Sequence, residues 1–162
     1  MIRLAFYHGS GNAADAVIRW VTKSKYSHVE IIDRSADTPD GGKFIDTAWS
    51  ASYRDGGVRR AVITFTPDKW LVVPALWAPD GVIETISAQA GKPYDYIGLI
   101  GSQLLNLRRQ RQNRWFCSEL CAYALGLSVP QEMSPGGLYR RVLEMNRAYI
   151  TGRNGAGEPP EE

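Results

Sequence analysis

Apolar positions recur with a period of two in the first half of the chain and with a period near 3.6 in the second. Residues 2–8 are a loosely alternating apolar and aromatic run and predict a strand. His8-Gly9-Ser10-Gly11-Asn12 is a turn, with Asn12 placed to cap a helix. Ala13, Ala16, Val17, Trp20 and Val21 share one face of that amphipathic helix, over 13–23, and the stripe is the expected core-facing side. Tyr26 to Asp33 is rich in β-branched and aromatic residues and predicts a second strand. Alternation there puts His28, Glu30 and Ile32 on one face and Val29 and Ile31 on the other. Ser35 to Gly42 reads as a loop, with Pro39, Asp40, Gly41 and Gly42 as its turn residues. Strands are expected over 43–49, 58–65 and 70–76, in an antiparallel meander.

The period changes at Pro79. Val82, Ile83, Ile86 and Ala90 mark a helix over 80–90, stopped by Gly91-Lys92-Pro93. A buried helix is predicted over 94–107, followed by a basic run with Arg108, Arg109, Arg111 and Arg114. In Arg114 to Gly126, Leu120, Tyr123 and Ala124 have helical spacing. Gly126 stands where a C-terminal glycine belongs, and Ser118 and Glu119 suit a first turn. A last helix is expected over 136–146. Residues 151–162, rich in Gly, Pro and Glu, predict a disordered tail. Strands followed by helices give an α+β class: one domain over 1–150, with an antiparallel sheet packed against helices.

Composition narrows the functional classes. The 162 residues are 44% hydrophobic and 22% charged, with a formal net charge of +2. That charge is too small to argue alone for nucleic acid or an anionic surface. Four arginines in seven residues could contact phosphates, but no base-reading motif accompanies them, and a solvated run is the simpler reading. No apolar stretch reaches the ~20 residues of a membrane helix, and the N-terminus lacks signal-peptide architecture, so a cytoplasmic protein is expected. The glycine pairs at 41–42, 56–57 and 136–137 lack the context of a nucleotide site. Cys117 and Cys121 lie four apart on one predicted helix, a spacing unsuited to an unstrained disulfide, and two thiolates are too few for structural zinc. Cys121 reads as a small buried hydrophobe.

Cys117 is different because it opens its helix. A helix N-terminus favours the thiolate, the nucleophilic form of cysteine. Such a nucleophile needs a base, and the base needs an orienting partner. The chain has two histidines, His8 and His28. His28, between β-branched neighbours on a strand, requires a polar partner. Asp46, on the next predicted strand, is one candidate, because cross-strand Cβ atoms lie roughly 5 Å apart. Glu30 is its rival: it shares a face with His28, two positions and roughly 6.6 Å along the same strand.

Three stretches, Tyr26-Ser27-His28-Val29-Glu30-Ile31, Phe44-Ile45-Asp46-Thr47-Ala48 and Phe116-Cys117-Ser118-Glu119-Leu120, resemble the circularly permuted NlpC-type branch of the papain-like cysteine peptidases. That branch includes YiiX-like proteins and relatives of lecithin:retinol acyltransferase, and its histidine strand precedes its cysteine helix, as here. Gly91-Lys92-Pro93-Tyr94-Asp95-Tyr96 resembles the family's step ahead of the cysteine. The likeness spans roughly residues 3–50 and 91–126 and implies a permuted papain-like fold. It further implies Cys117 as nucleophile, His28 as base and Asp46 as third residue, with Glu30 as rival or cleft residue. The Cys117 N–H, and Tyr7 as a possible further contact, would face an oxyanion. The implied reaction runs through a thioester acyl-enzyme, without metal or organic cofactor. Peptides, peptidoglycan fragments and acyl lipids are the implied substrates. A lipid acyl hydrolase or transferase would share this triad, and a non-catalytic binding module would share the fold.

Overall fold

Strand alternation sorts the sheet residues into two buried sets, and the larger set carries the helices. The computed structural model describes residues 1–33, 42–94, 115–128, 130 and 133–155. In chain order the described elements are β1 (Ile2–Tyr7), α1 (Ala13–Thr22), β2 (His28–Ile32), β3 (Phe44–Ser52), β4 (Gly57–Phe65), β5 (Trp70–Ala75), α2 (Val82–Ser87), α3 (Cys117–Ala124) and α4 (Pro135–Gly155). The strands form one sheet in the order β4-β3-β2-β1-β5. All four pairings are antiparallel. The α+β architecture expected from the sequence is therefore present, with an antiparallel sheet and helices packed on it.

Leu4, Phe6, Val29 and Ile31 from the two central strands meet Leu120, Cys121, Ala124, Ile86, Leu138 and Val142 from the helices in the main core. Ala5, Ile32, Ala48 and Phe65 form a smaller second cluster. The side chain of Asn146 ties α4 to β5, accepting from the Leu76 N–H at 2.9 Å and donating to the Pro74 carbonyl at 2.6 Å.

The expected meander is broken at β5, which pairs with β1 and not with β4, and three further expectations need correction. In α1 the residues turned inward are Asp15, Ile18 and Val21. Ala13, Ala16, Val17 and Trp20 face outward, with Trp20 72% exposed. The helix is amphipathic, but the side that carries Asp15, Arg19 and Thr22 is the one turned toward the body of the protein. The choice is made by Asp15, which accepts from the Ser27 hydroxyl at 2.9 Å and from Arg54 at 3.3 Å. Second, the final helix does not stop at residue 146 but runs to 155, through the expected domain end at 150 and into the expected tail. In this added stretch the Thr151 hydroxyl donates to the Arg147 carbonyl at 2.9 Å. Third, Tyr94 lies in an extended bridge with Trp115 rather than at a helix start. The loop at 35–41, the helix expected over 95–107, the basic run at 108–114 and the tail at 156–162 lie outside the described residues.

No helix among the described residues is long and apolar enough to cross a membrane.

Candidate active site

Cys117 is the first residue of α3, and Phe116, in extended conformation, is its N-cap. Phe116 has no side-chain acceptor for a cap. The helix is started instead by Glu119, whose carboxylate accepts from the Phe116 N–H at 3.4 Å and adds negative charge to the first turn. The Ser118 hydroxyl donates to the Met133 carbonyl, tying the same turn to the chain that enters α4. At the other end Gly126 has φ +68°, and its N–H and that of Leu127 bond back to Tyr123 and Ala122, both at 3.0 Å. This is the glycine stop that the spacing predicts.

The approach to Cys117 is anchored on β4. The Trp115 N–H donates to Pro93 at 3.1 Å, Tyr94 to Gly56 at 3.0 Å, and Val58 to Lys92 at 2.8 Å. Gly57 is required where these strands meet, because a Cβ there would stand 2.3 Å from the Lys92 carbonyl oxygen. The Tyr94 ring packs edge-on against Phe116 at 5.9 Å. A chain of backbone contacts thus fixes the cysteine helix to the start of β4.

His28 opens β2. It pairs across β1 with Tyr7, which in turn pairs with Trp70 on β5. The imidazole and the Trp70 ring meet edge-on at 6.4 Å, and Tyr7 packs on Trp70 at 5.0 Å. His28 Nε2 lies 2.8 Å from Glu30 Oε1. With Nε2 committed to Glu30, Nδ1 is the ring nitrogen that remains, and the Cys117 sulfur acts on the imidazole by raising its pKa. The Glu30 side chain is 1% exposed and receives a forked pair from Arg59: Nη1 to Oε2 at 2.8 Å and Nη2 to Oε1 at 2.6 Å. Arg59 Nε donates to Asp55 at 2.8 Å. A polar line therefore runs from Cys117 through His28, Glu30 and Arg59 to Asp55 at the surface.

The charges along this line support one another. Burial alone lowers the His28 pKa, but the Cys117 sulfur and the Glu30 carboxylate outweigh it and raise it to about 10. Burial alone would raise the Glu30 pKa, and the bonds from Arg59 and His28 hold it below its usual value instead. Burial also works against the Arg59 charge, and Glu30 and Asp55 overcome it. The arrangement sets a charged imidazole beside a carboxylate–guanidinium pair. Cys121, one turn further along α3, is buried, and burial together with the charges of Cys117 and Glu30 pushes its thiol up. It is the neutral, packed cysteine that its position suggests.

The expectation that Asp46 orients His28 does not hold. The β2–β3 register sets Ile31 against Trp49 and Ile32 against Ala48. Asp46 therefore lies past the far end of β2, more than roughly 13 Å along the strand from His28. Its nearby cation is Arg3, at 3.6 Å, and it also accepts from the Thr47 N–H at 2.7 Å. Glu30, the rival, holds the orienting position. The backbone rise between alternate residues overstates the gap, because a glutamate and an imidazole on one face lean together. Tyr7 is the cross-strand partner of His28, and its ring packs on Trp70. Arg59 escaped the sequence reading altogether. Its only signal is a basic residue alternating along β4, and linking it to Glu30 needs a register across three strands. Among the described residues no group of three or more His, Cys, Asp or Glu side chains is placed to hold a metal ion.

No protein-family model matches this chain, and none of the curated proteins searched is similar to it in sequence.

Proposed function

We propose that the protein is a cysteine hydrolase acting on an amide or ester carbonyl through Cys117, His28 and Glu30. The observation that carries this reading is the His28 imidazole held at 2.8 Å by the buried carboxylate of Glu30 and raised in pKa by the sulfur of Cys117 at the start of α3. The likeness of the histidine and cysteine segments to permuted NlpC-type peptidases supports Cys117 and His28 and a permuted papain-like fold, while Glu30 in place of the implied Asp46 rests on the geometry alone. The Cys117 thiolate adds to the carbonyl carbon, and the developing oxyanion meets the free N–H groups at the start of α3. The His28 imidazolium gives its proton to the leaving amine or alcohol, which leaves a thioester. Neutral His28 then takes a proton from water as the water attacks, and acid and free thiolate are released. Glu30 holds the ring in orientation and stabilises its charged form. The Cys117 residue has no exposed surface, so a substrate must displace a neighbour to reach it.

Alkylation by iodoacetamide from pH 4 to 9, with Cys121→Ala in every background, tests the pair. Reactivity of Cys117 well below pH 8 that is lost in His28→Ala is the expected result. Incubation with p-nitrophenyl acetate should add one acetyl group to Cys117, seen by mass spectrometry, and the adduct should then decay. Free-thiol behaviour, or an inert thiol, in both backgrounds overturns the reading and leaves a non-catalytic domain.

A further inference from the structure

We propose that Arg59 is a positioning residue of this site: its two-point hold on Glu30 fixes the carboxylate that orients His28, and so sets the pH range over which Cys117 reacts. This inference rests on the reading of Cys117 and His28 as nucleophile and base.

Charge balance is the first argument. A reactive Cys117 and an ionised Glu30 place two anions around one imidazolium. Glu30 has almost no contact with water, and a buried carboxylate without a matching cation takes up a proton instead. Arg59 supplies the second cation and closes the count at two of each sign. The other titratable groups facing this cluster are Tyr7 from β1, Cys121 from α3, kept neutral by burial, and Asp55 from the turn before β4. Asp55 is 51% exposed and holds the Arg59 Nε from the solvent side. Geometry is the second argument. Both terminal nitrogens of Arg59 reach different oxygens of one carboxylate, at 2.8 and 2.6 Å. That fork prevents the carboxylate from rotating away from Nε2 of His28, and a lysine ammonium cannot reproduce it. The hydrogen bonds that tie Arg59 to the site run through Glu30.

The test measures the pH profile of Cys117 alkylation by iodoacetamide in the full chain carrying Cys121→Ala. The wild-type residue is compared with R59Q, R59K, E30Q and the E30Q/R59Q pair. R59Q should cut the rate at pH 6 roughly tenfold or more, the effect of one or more pKa units. R59K, which keeps the charge and is the safer variant for folding, should show a similar loss. In the E30Q background R59Q should change nothing further. A wild-type profile in R59K or R59Q overturns the proposal, as does a loss in the double variant that is the product of the two single losses. If the wild-type chain shows no reactivity dependent on His28, the underlying assignment of nucleophile and base has failed. Retained His28-dependent reactivity with unchanged Arg59 variants instead isolates the failure to Arg59.

Discussion

Glu30 and Asp46 are both buried carboxylates on neighbouring strands, and their different partners give them different work. Glu30→Gln removes the charge that faces His28 and leaves Arg59 without its main partner. Breaking a buried pair in this way costs about 3–5 kcal/mol, and Cys117 alkylation at pH 6 should fall with it. Asp46→Asn loosens only the contact with Arg3. It should cost about 1–3 kcal/mol in a denaturant melt and leave the alkylation profile where it was. A profile altered equally by both substitutions would contradict the geometry. The cysteine was legible at this scale because helix-start chemistry is local: Ser118, Glu119 and Gly126 all lie within the segment. The third residue was ambiguous because its choice depends on side-chain reach and on a register that sequence spacing does not fix.

At the scale of elements, α1 offers the sharpest contrast. Ile18 is 4% exposed and Trp20 72%. Ile18→Ala should therefore cost about 2–5 kcal/mol, whereas Trp20→Ser should stay within about 0.5 kcal/mol. Chemical denaturation of the two variants checks the reversal of the helix face expected from the pattern. The strands were read to within a few residues because alternation is a short-range signal. The packed face of α1 was not, since its polar side turns inward and that decision lies with the partners of Asp15, Ser27 and Arg54. Gly57 joins β4 to the segment that leads into α3. Gly57→Ala forces a side chain against the Lys92 carbonyl and should cost about 1–3 kcal/mol. It should also slow Cys117 alkylation, because the displaced strand carries Tyr94 and, through Trp115, the start of α3.

For the molecule as a whole, the site makes stability depend on pH in both directions. The His28 pKa is raised from 6.5 to about 10 in the folded state. Its contribution is complete below about pH 6.5, erodes as pH rises above that, and is gone past about 10. The Glu30 pKa is lowered from 4.5, so its contribution is complete above about 4.5 and is lost as pH falls. Melting temperature should thus fall on both sides of a plateau spanning mildly acid to neutral pH. In Cys117→Ala the main cause of the raised His28 value is removed, and burial then favours the neutral ring. The alkaline fall should move to lower pH in that variant, as followed by thermal melts and by the imidazole proton resonances. An unchanged alkaline limb would mean that the sulfur does not hold the imidazolium.

The polar line joins β2, β4 and α3, elements far apart in the chain. The β3–β4 hairpin can close within microseconds from local contacts, but Cys117 meets His28 only after the sheet and helices have assembled around it. Partly folded chains would carry an ordinary thiol. The appearance of low-pH reactivity after dilution from denaturant would therefore time the last steps of folding.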